Sequence, residues 1–359
     1  MAAHHGNASV GTDPRRSRQL RVVVLYDGGA TDWSAADIRS VLEPVNTVSE
    51  ALAAAGHEVL RVGVQPDLTW IDTARTCDLV FNLCEGVGGV SRLECNVASA
   101  LELLGIPHTG GSAWTMTVCH RKPLLNALLA AADLPVPQWF VPNGRRIPAD
   151  FPTPAIVKPA AEDASMGIDQ GAVHADVANL LHRGDWIESH IGESIVQRYI
   201  DGREFNVAFV GESTLPLSEI DFRNMPDGAW RIVSFDAKWT RGSAEDAGTQ
   251  PVCPARVEPE LADYIIRTAR EAWDAVQGSG YGRVDLRVDR DGRPWVLEVN
   301  PNPDISTDAG LANMAAAAGW SYRDLVLRIV SASLSRPKPK PGAPPHGDVP
   351  VPEMGVHQA

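Results

Sequence analysis

Apolar residues follow two rhythms along this chain. The short runs "LRVVVLYD", "HEVLRVGV" and "CDLVFNLCEG" have the continuous apolar, β-branched character of strands buried in a parallel sheet. Among them, "SVLEPVNTVSEALAAAG" and "CNVASALELLG" have helical spacing and stop at Gly56 and Gly105. Such alternation predicts an α/β unit with a mainly parallel sheet, its functional loops at the strand C-termini. From about Met116 the pattern changes. "KPLLNALLAAADLPVP" reads as a helix stopped by prolines, and "TPAIVKPAAEDASMGIDQG" as a strand entering a small-residue loop. "SIVQRYIDGREFNVAFVG" predicts a hairpin turning at Asp201-Gly202. "LADYIIRTAREAWDAVQGSG" predicts an amphipathic helix, and "GLANMAAAAGWSYRDLVLRIV" further helix. Hairpins with fewer helices shift the class of this half towards α+β.

A second hairpin, "YGRVDLRVDRDGRPWVLEVNPNPD", holds the most informative pattern. With Asp291-Gly292 as a two-residue turn, Val288 faces Trp295, Leu286 faces Leu297 and Val284 faces Val299, all on one apolar face. The other face sets Asp285 opposite Glu298 and Arg283 opposite Asn300. Facing like charges destabilise an antiparallel pair, and a bare carboxylate inside "VLEVN" is costly. Either this face is solvated and its charges are scattered, or a cation neutralises it. Oxygen ligands of this kind suit Mg²⁺ shared with substrate phosphates.

Composition narrows the function. The 359 residues are 44% hydrophobic and 21% charged, ordinary for a globular protein with room for two or three domains. A formal net charge of -13 argues against nucleic-acid or anionic-membrane partners, and no apolar run approaches the roughly 18 residues of a membrane span. Cys77, Cys84, Cys95, Cys119 and Cys253 form no C-x-x-C pair and read as reduced thiols of a cytoplasmic protein. The first 19 residues lack the apolar core of a signal peptide and are expected to be disordered, as is the proline-rich tail 336–359.

No P-loop, dinucleotide fingerprint or nucleophile elbow is present. There remain lysines near predicted element ends, Lys122, Lys158 and Lys238, together with the acidic hairpin. Each lysine alone suits a solvated surface; together they suit convergence on phosphates beside a metal.

In this order and spacing, "DLVFNLCEG", "LELLGIPHTGGS", "HRKPLLNALLAAADLPVP", "IVKPAAEDASMGI", "VQRYIDGREFNVAFVG", "FDAKW", "GRVDLRVDRDG" and "LEVNPNPD" resemble the D-alanine–D-alanine ligase family of the ATP-grasp superfamily. The resemblance implies a parallel-sheet N-terminal domain at 20–115, a small central subdomain at 116–195 and an antiparallel-sheet C-terminal subdomain at 196–335. ATP would be gripped between the last two. It assigns Asp285, Glu298 and Asn300 to Mg²⁺, with Mn²⁺ as an alternative, and Arg283 to negative charge at the reacting centre. Lys122 and Lys158 fall on the ATP phosphates and Lys238 on a closing loop. Gln197, Arg198 and Ile200 fall at the adenine, Glu204 at the ribose, and Ser165 and Gly167 in the flexible loop over the triphosphate. The implied reaction joins a carboxylate to an amine, both small molecules, through an acylphosphate. A homodimer through the first domain is also implied.

The departures lie where D-alanine would be recognised. The family loop Glu-Gly-Ser-Ser-x-Gly is here Glu162-Asp163-Ala164-Ser165-Met166-Gly167, and Ala309-Gly310 stands where a serine is expected. No acid in the first domain aligns cleanly with the one that holds the first amino group; Asp32, Asp37 and Glu43 are the candidates. The expectation is therefore a related peptide- or amide-forming ligase acting on amino acids or small derivatives. An orthodox D-alanine–D-alanine ligase is the alternative, and a nucleotide-binding regulatory protein without catalysis is the alternative of another class.

Overall fold

The structure, a computed structural model, describes residues 19–142, 148 and 150–336. The segment before Gln19 and nearly all of the proline-rich tail lie outside the described residues. Three sheets follow one another along the chain. The first is built from β1 (Arg21–Asp27), α1 (Ala35–Ala54), β2 (Glu58–Val64), α2 (Trp70–Ala74), β3 (Leu79–Leu83) and α3 (Glu94–Leu103). Its strand order is β2-β1-β3, all parallel. Val22, Val23, Val24 and Leu25 are fully buried because helices cover both faces of the central strand.

Helices α4 (Ala113–His120) and α5 (Lys122–Ala131) lead into a four-stranded sheet of β4 (Trp139–Phe140), β5 (Ala155–Pro159), β6 (Val173–His174) and β7 (Ser194–Arg198), with α6 (Val177–His190) packed on it. This sheet is antiparallel, in the order β4-β7-β5-β6. The third sheet comprises β8 (Arg203–Val210), β9 (Ser213–Thr214), β10 (Ser218–Asp221), β11 (Gln250–Val252), β12 (Tyr281–Val288) and β13 (Pro294–Asn300). It too is antiparallel, in the order β11-β10-β8-β12-β13, with β9 on β8. Short helices α7 (Phe235–Trp239) and α8 (Ala244–Gly248) precede β11, and α9 (Pro259–Ala275) precedes β12. Ile265, Thr268, Ala269, Ala272 and Trp273, at helical spacing, turn one face of α9 into the core beneath β12 and β13. Helices α10 (Gly310–Ala317) and α11 (Tyr322–Leu334) return to the first sheet. Leu311, Leu325 and Ile329 share one core with Val22, Val48, Leu52 and Phe81.

Two expectations are corrected. The segment 194–210 is not a hairpin: β7 pairs with β4 and β5, whereas β8 pairs with β9, β10 and β12. Residues 199–202 therefore cross between two sheets, and β7 gains a neighbour on each side while β8 becomes an interior strand between β10 and β12.

The second correction concerns the acidic hairpin. Its loop runs over Arg290–Gly292 and not Asp291-Gly292 alone, because Asp289 N–H donates to Arg293 O at 3.0 Å and Gly292 N–H to Asp289 O at 3.1 Å. Gly292 supplies the left-handed backbone (φ 78°) that closes such a three-residue turn. Val288 consequently faces Pro294, and Leu286 faces Val296. A bulge between Glu298 and Val296 then absorbs one residue, Leu297. The two shifts cancel, so Val284 opposite Val299 and Asp285 opposite Glu298 stand as expected. Trp295 leaves the apolar face: its indole N–H donates to Asp289 Oδ2 at 2.7 Å, and Arg293 and Arg198 lie over its ring.

Candidate active site

The third sheet places the acids. Asp285 lies between Glu298 on β13 and Asn206 on β8. Its carboxylate accepts from Arg283 Nε at 2.7 Å, Arg283 Nη2 at 2.9 Å and Asn206 Nδ2 at 2.8 Å. Burial opposes the Arg283 charge, but Asp285 and then Glu298 outweigh it and hold the guanidinium protonated. Glu298 has no such relief. Burial raises its pKa, Asp163 and Asp285 add to the rise, and Lys122 and Lys238 oppose it.

A cation beside Glu298 would favour its ionised form. Among the described residues no three Asp, Glu, His or Cys form a ready metal cage. Mg²⁺ takes one or two carboxylates and completes its shell with phosphate and water. Asp285 keeps acceptor capacity beyond its three hydrogen bonds, since an ionised carboxylate offers about four lone-pair sites. The donor set therefore fits Mg²⁺ on Asp285 and Glu298, with Asn300 beside them at the end of β13.

Two lysines converge from the central part of the chain. Lys122 is 9% exposed at the start of α5; its ammonium donates to Glu162 O and lies 3.9 Å from Asp163 Oδ1. Lys158, on β5, donates to Gln197 Oε1 at 3.2 Å. Burial, followed by repulsion from Lys122, lowers the Lys158 pKa to about 8. Asp163 is held from a second side, with His120 Nδ1 at 3.0 Å. Burial alone would raise the Asp163 carboxyl, but the His120 hydrogen bond and the Lys122 charge prevail and lower it.

The end of β7, the crossing and the start of β8 carry Gln197 and Arg198, Ile200, and Glu204 respectively. Gln197 and Ile200 are buried and Arg198 is exposed. Arg287, absent from the expected site, organises this end. It donates to Glu204 Oε2 at 2.9 Å, to Ile200 O at 2.9 Å and to Arg231 O, and lies over the rings of Tyr199 and Phe222. Its signal was present in the sequence, since Arg283, Asp285 and Arg287 alternate onto one strand face.

Of the candidate closing segments, Asp163 to Gly167 and Lys238 to Gly248, the first is bound to α7 and to the residues just before it. Ser165 Oγ donates to Val233 O at 2.8 Å, Trp239 Nε1 to Ala164 O at 3.1 Å, and Phe235 N–H to Ile168 O at 2.8 Å. Ala164 and Ser165 adopt left-handed backbone (φ 54° and 61°), uncommon for residues other than glycine. Lys238 is exposed on α7, within electrostatic reach of Glu298 and Glu85. Gly167 follows on the loop.

The first sheet contributes acids that the sequence reading missed. Burial and Asp304 push Glu85, after β3, up to about 7; its side chain borders open solvent, so water screens part of that effect. Burial pushes Glu94 up to about 8. No local pattern marks either residue, because an acid after a strand or in the first turn of a helix is ordinary. Asp32 before α1, Asp37 in its first turn and Glu43 near its middle are all exposed, and Asp37 is engaged in a capping box with Ser34.

Facing acids on the third sheet, with lysines from the central sheet and α5 within electrostatic reach of Glu298, are the arrangement expected of a ligase of the ATP-grasp class. The family described as D-ala D-ala ligase C-terminus matches residues 129–331. A D-alanine–D-alanine ligase of Erythrobacter litoralis is 30% identical over 333 residues, covering 90% of this chain and 97% of that protein. One from Methylococcus capsulatus is 31% identical over 324 residues, covering 88% and 96%. The crystal structure of D-alanine–D-alanine ligase from Bacillus anthracis complexed with ATP superposes with a TM-score of 0.69 at 21% identity, covering 88% of this chain and 97% of that one. The chain belongs to the D-alanine–D-alanine ligase family and is a carbon–nitrogen bond-forming enzyme.

Proposed function

We propose that the enzyme uses ATP to join the carboxylate of one amino acid, or small derivative, to the amine of another. The observation that carries this reading is the facing pair Asp285 and Glu298, with Lys122 and Lys158 both within electrostatic reach of Glu298. The substrate carboxylate attacks the γ-phosphorus of ATP and gives an acylphosphate and ADP; the amine then attacks the acyl carbon and phosphate leaves. Lys122 and Lys158 hold the phosphates as buried cations, and Lys238 joins them when α7 closes. Arg283, pinned by Asp285, faces charge on the tetrahedral adduct. Mg²⁺ held by Asp285, Glu298 and Asn300 would neutralise charge on the phosphoryl group. Gln197, Arg198 and Ile200 flank the adenine, and Glu204, oriented by Arg287, accepts from the ribose. Segments 163–168 and 233–239, bound to each other, exclude water from the acylphosphate, with Ser165 and Gly167 shaping the loop over the triphosphate.

Asp163 and Ala164, in place of glycine and serine, support a substrate pair other than two D-alanines. The names of the relatives favour the orthodox D-alanine reading. Purified enzyme with ATP, Mg²⁺ and amino acids in pairs decides, read by ADP release and product mass. Brisk D-alanyl-D-alanine formation selects the orthodox reading. Glu298→Gln is expected to abolish turnover while leaving thermal unfolding unchanged; full activity in that variant overturns the metal assignment.

Three units with boundaries near 115 and 195, and a homodimer through the first, belong to the same reading. No helix among the described residues is long and apolar enough to cross a membrane. Unpaired Cys77, Cys84, Cys95, Cys119 and Cys253 support a cytoplasmic setting.

A further inference from the structure

Asn300 ends β13, and its Oδ1 accepts the N–H of Asn302 at 3.1 Å. The side chain of Asn302, 9% exposed, is fixed from two sides. Tyr281 OH, fully buried at the start of β12, donates to Asn302 Oδ1 at 2.6 Å. Asn302 Nδ2 donates to Glu94 Oε1 at 3.1 Å. A donor on one side and an acceptor on the other admit a single orientation of the carboxamide. Glu94 opens α3, so this contact joins the first sheet layer to the metal-proximal end of the acidic hairpin across 208 positions of sequence. The turn is also closely packed: a Cβ at Gly111 would lie 2.7 Å from Pro301 Cβ.

We propose that Glu94 is a positioning residue, acting through Asn302 on the side chain of Asn300, and that metal affinity depends on it although it does not touch the metal. The inference rests on the metal reading above. With Glu94 truncated, Asn302 keeps one of its two side-chain anchors and the turn that aims Asn300 Oδ1 loosens. Loss of a partner that touches a metal ligand costs roughly 10–100-fold in affinity, and Glu94 acts one residue further out, so the lower end of that range applies.

The test measures binding of Mn²⁺, as a probe metal, by electron paramagnetic resonance in the presence of ADP. Glu94→Ala is expected to weaken Mn²⁺ about tenfold while ADP affinity without metal stays unchanged. Glu94→Gln, whose Oε1 still accepts from Asn302, is expected to restore binding, and Tyr281→Phe to weaken it in the same direction. Wild-type Mn²⁺ affinity in Glu94→Ala, with Glu298→Gln abolishing Mn²⁺ binding, overturns the inference and leaves the metal reading standing. Retention of Mn²⁺ by Glu298→Gln overturns both. Should Glu94→Ala not fold, Glu94→Met, which keeps the bulk and removes the acceptor, decides between the same outcomes.

Discussion

Lys158 shows how a single side chain reports on the cleft. Burial and the neighbouring Lys122 hold its pKa near 8, below the usual lysine range, so above that pH the free enzyme carries it neutral. Binding a phosphate favours the charged form, and proton uptake then accompanies binding. Nucleotide affinity is therefore expected to be flat below about pH 8 and to fall by up to tenfold per pH unit above it. Calorimetric ADP titrations across that range check this, and Lys158→Met is expected to bind weakly with that slope removed. Persistence of the slope in Lys158→Met would assign it to another group. At this scale the site was partly legible: Asp285 and Glu298 follow from alternation on two strands, and the same alternation carried an unread signal for Arg287. His120 and Glu94 did not follow, since each acquires its role from a partner on a distant segment, Asp163 and Asn302 respectively.

Among the elements, the loop 160–168 and the acidic hairpin carry the proposed function. Gly167 takes φ 67°, and a Cβ there would lie 2.5 Å from Ile191 Cδ1 and 3.1 Å from Pro159 Cγ. Gly167→Val adds a left-handed β-branched residue, costing about 1–2 kcal/mol, to that overlap. Turnover is expected to fall by roughly tenfold or more, and limited proteolysis at 160–168 to accelerate; unchanged kinetics would remove this loop from the closing machinery. The acidic hairpin gives the lesson in register. Counting outward from Asp-Gly placed Asp285 opposite Glu298, yet both the loop and the strand depart from the simple ladder. Asp289 organises the longer loop by accepting from Asp291, Arg293 and Trp295, which removes Trp295 from the apolar face. The bulge at Leu297 restores the facing acids.

Across the whole molecule, the chain closes on itself. Helix α11 packs on α1, and Ile329 and Leu325 complete the core beneath β1 and β3. The first sheet thus depends on residues some 300 positions later for its stability, as segments sharing one core do. Ile329→Ala is expected to cost about 2–5 kcal/mol. Hydrogen exchange should then show protection lost in β1 and α1 together with α11; loss confined to 322–334 would mean that the first sheet is self-sufficient. Local pattern was enough to announce the parallel layer, the helices that cover it, the change of class past Met116 and the opposed acids, because each rests on the spacing of neighbouring residues. It could not announce that 194–210 divides between two sheets, that α11 returns to α1, or that Glu94 reaches Asn302. Those outcomes depend on which distant apolar faces and hydrogen-bonding groups meet when the chain compacts, and no spacing within a short segment encodes that choice.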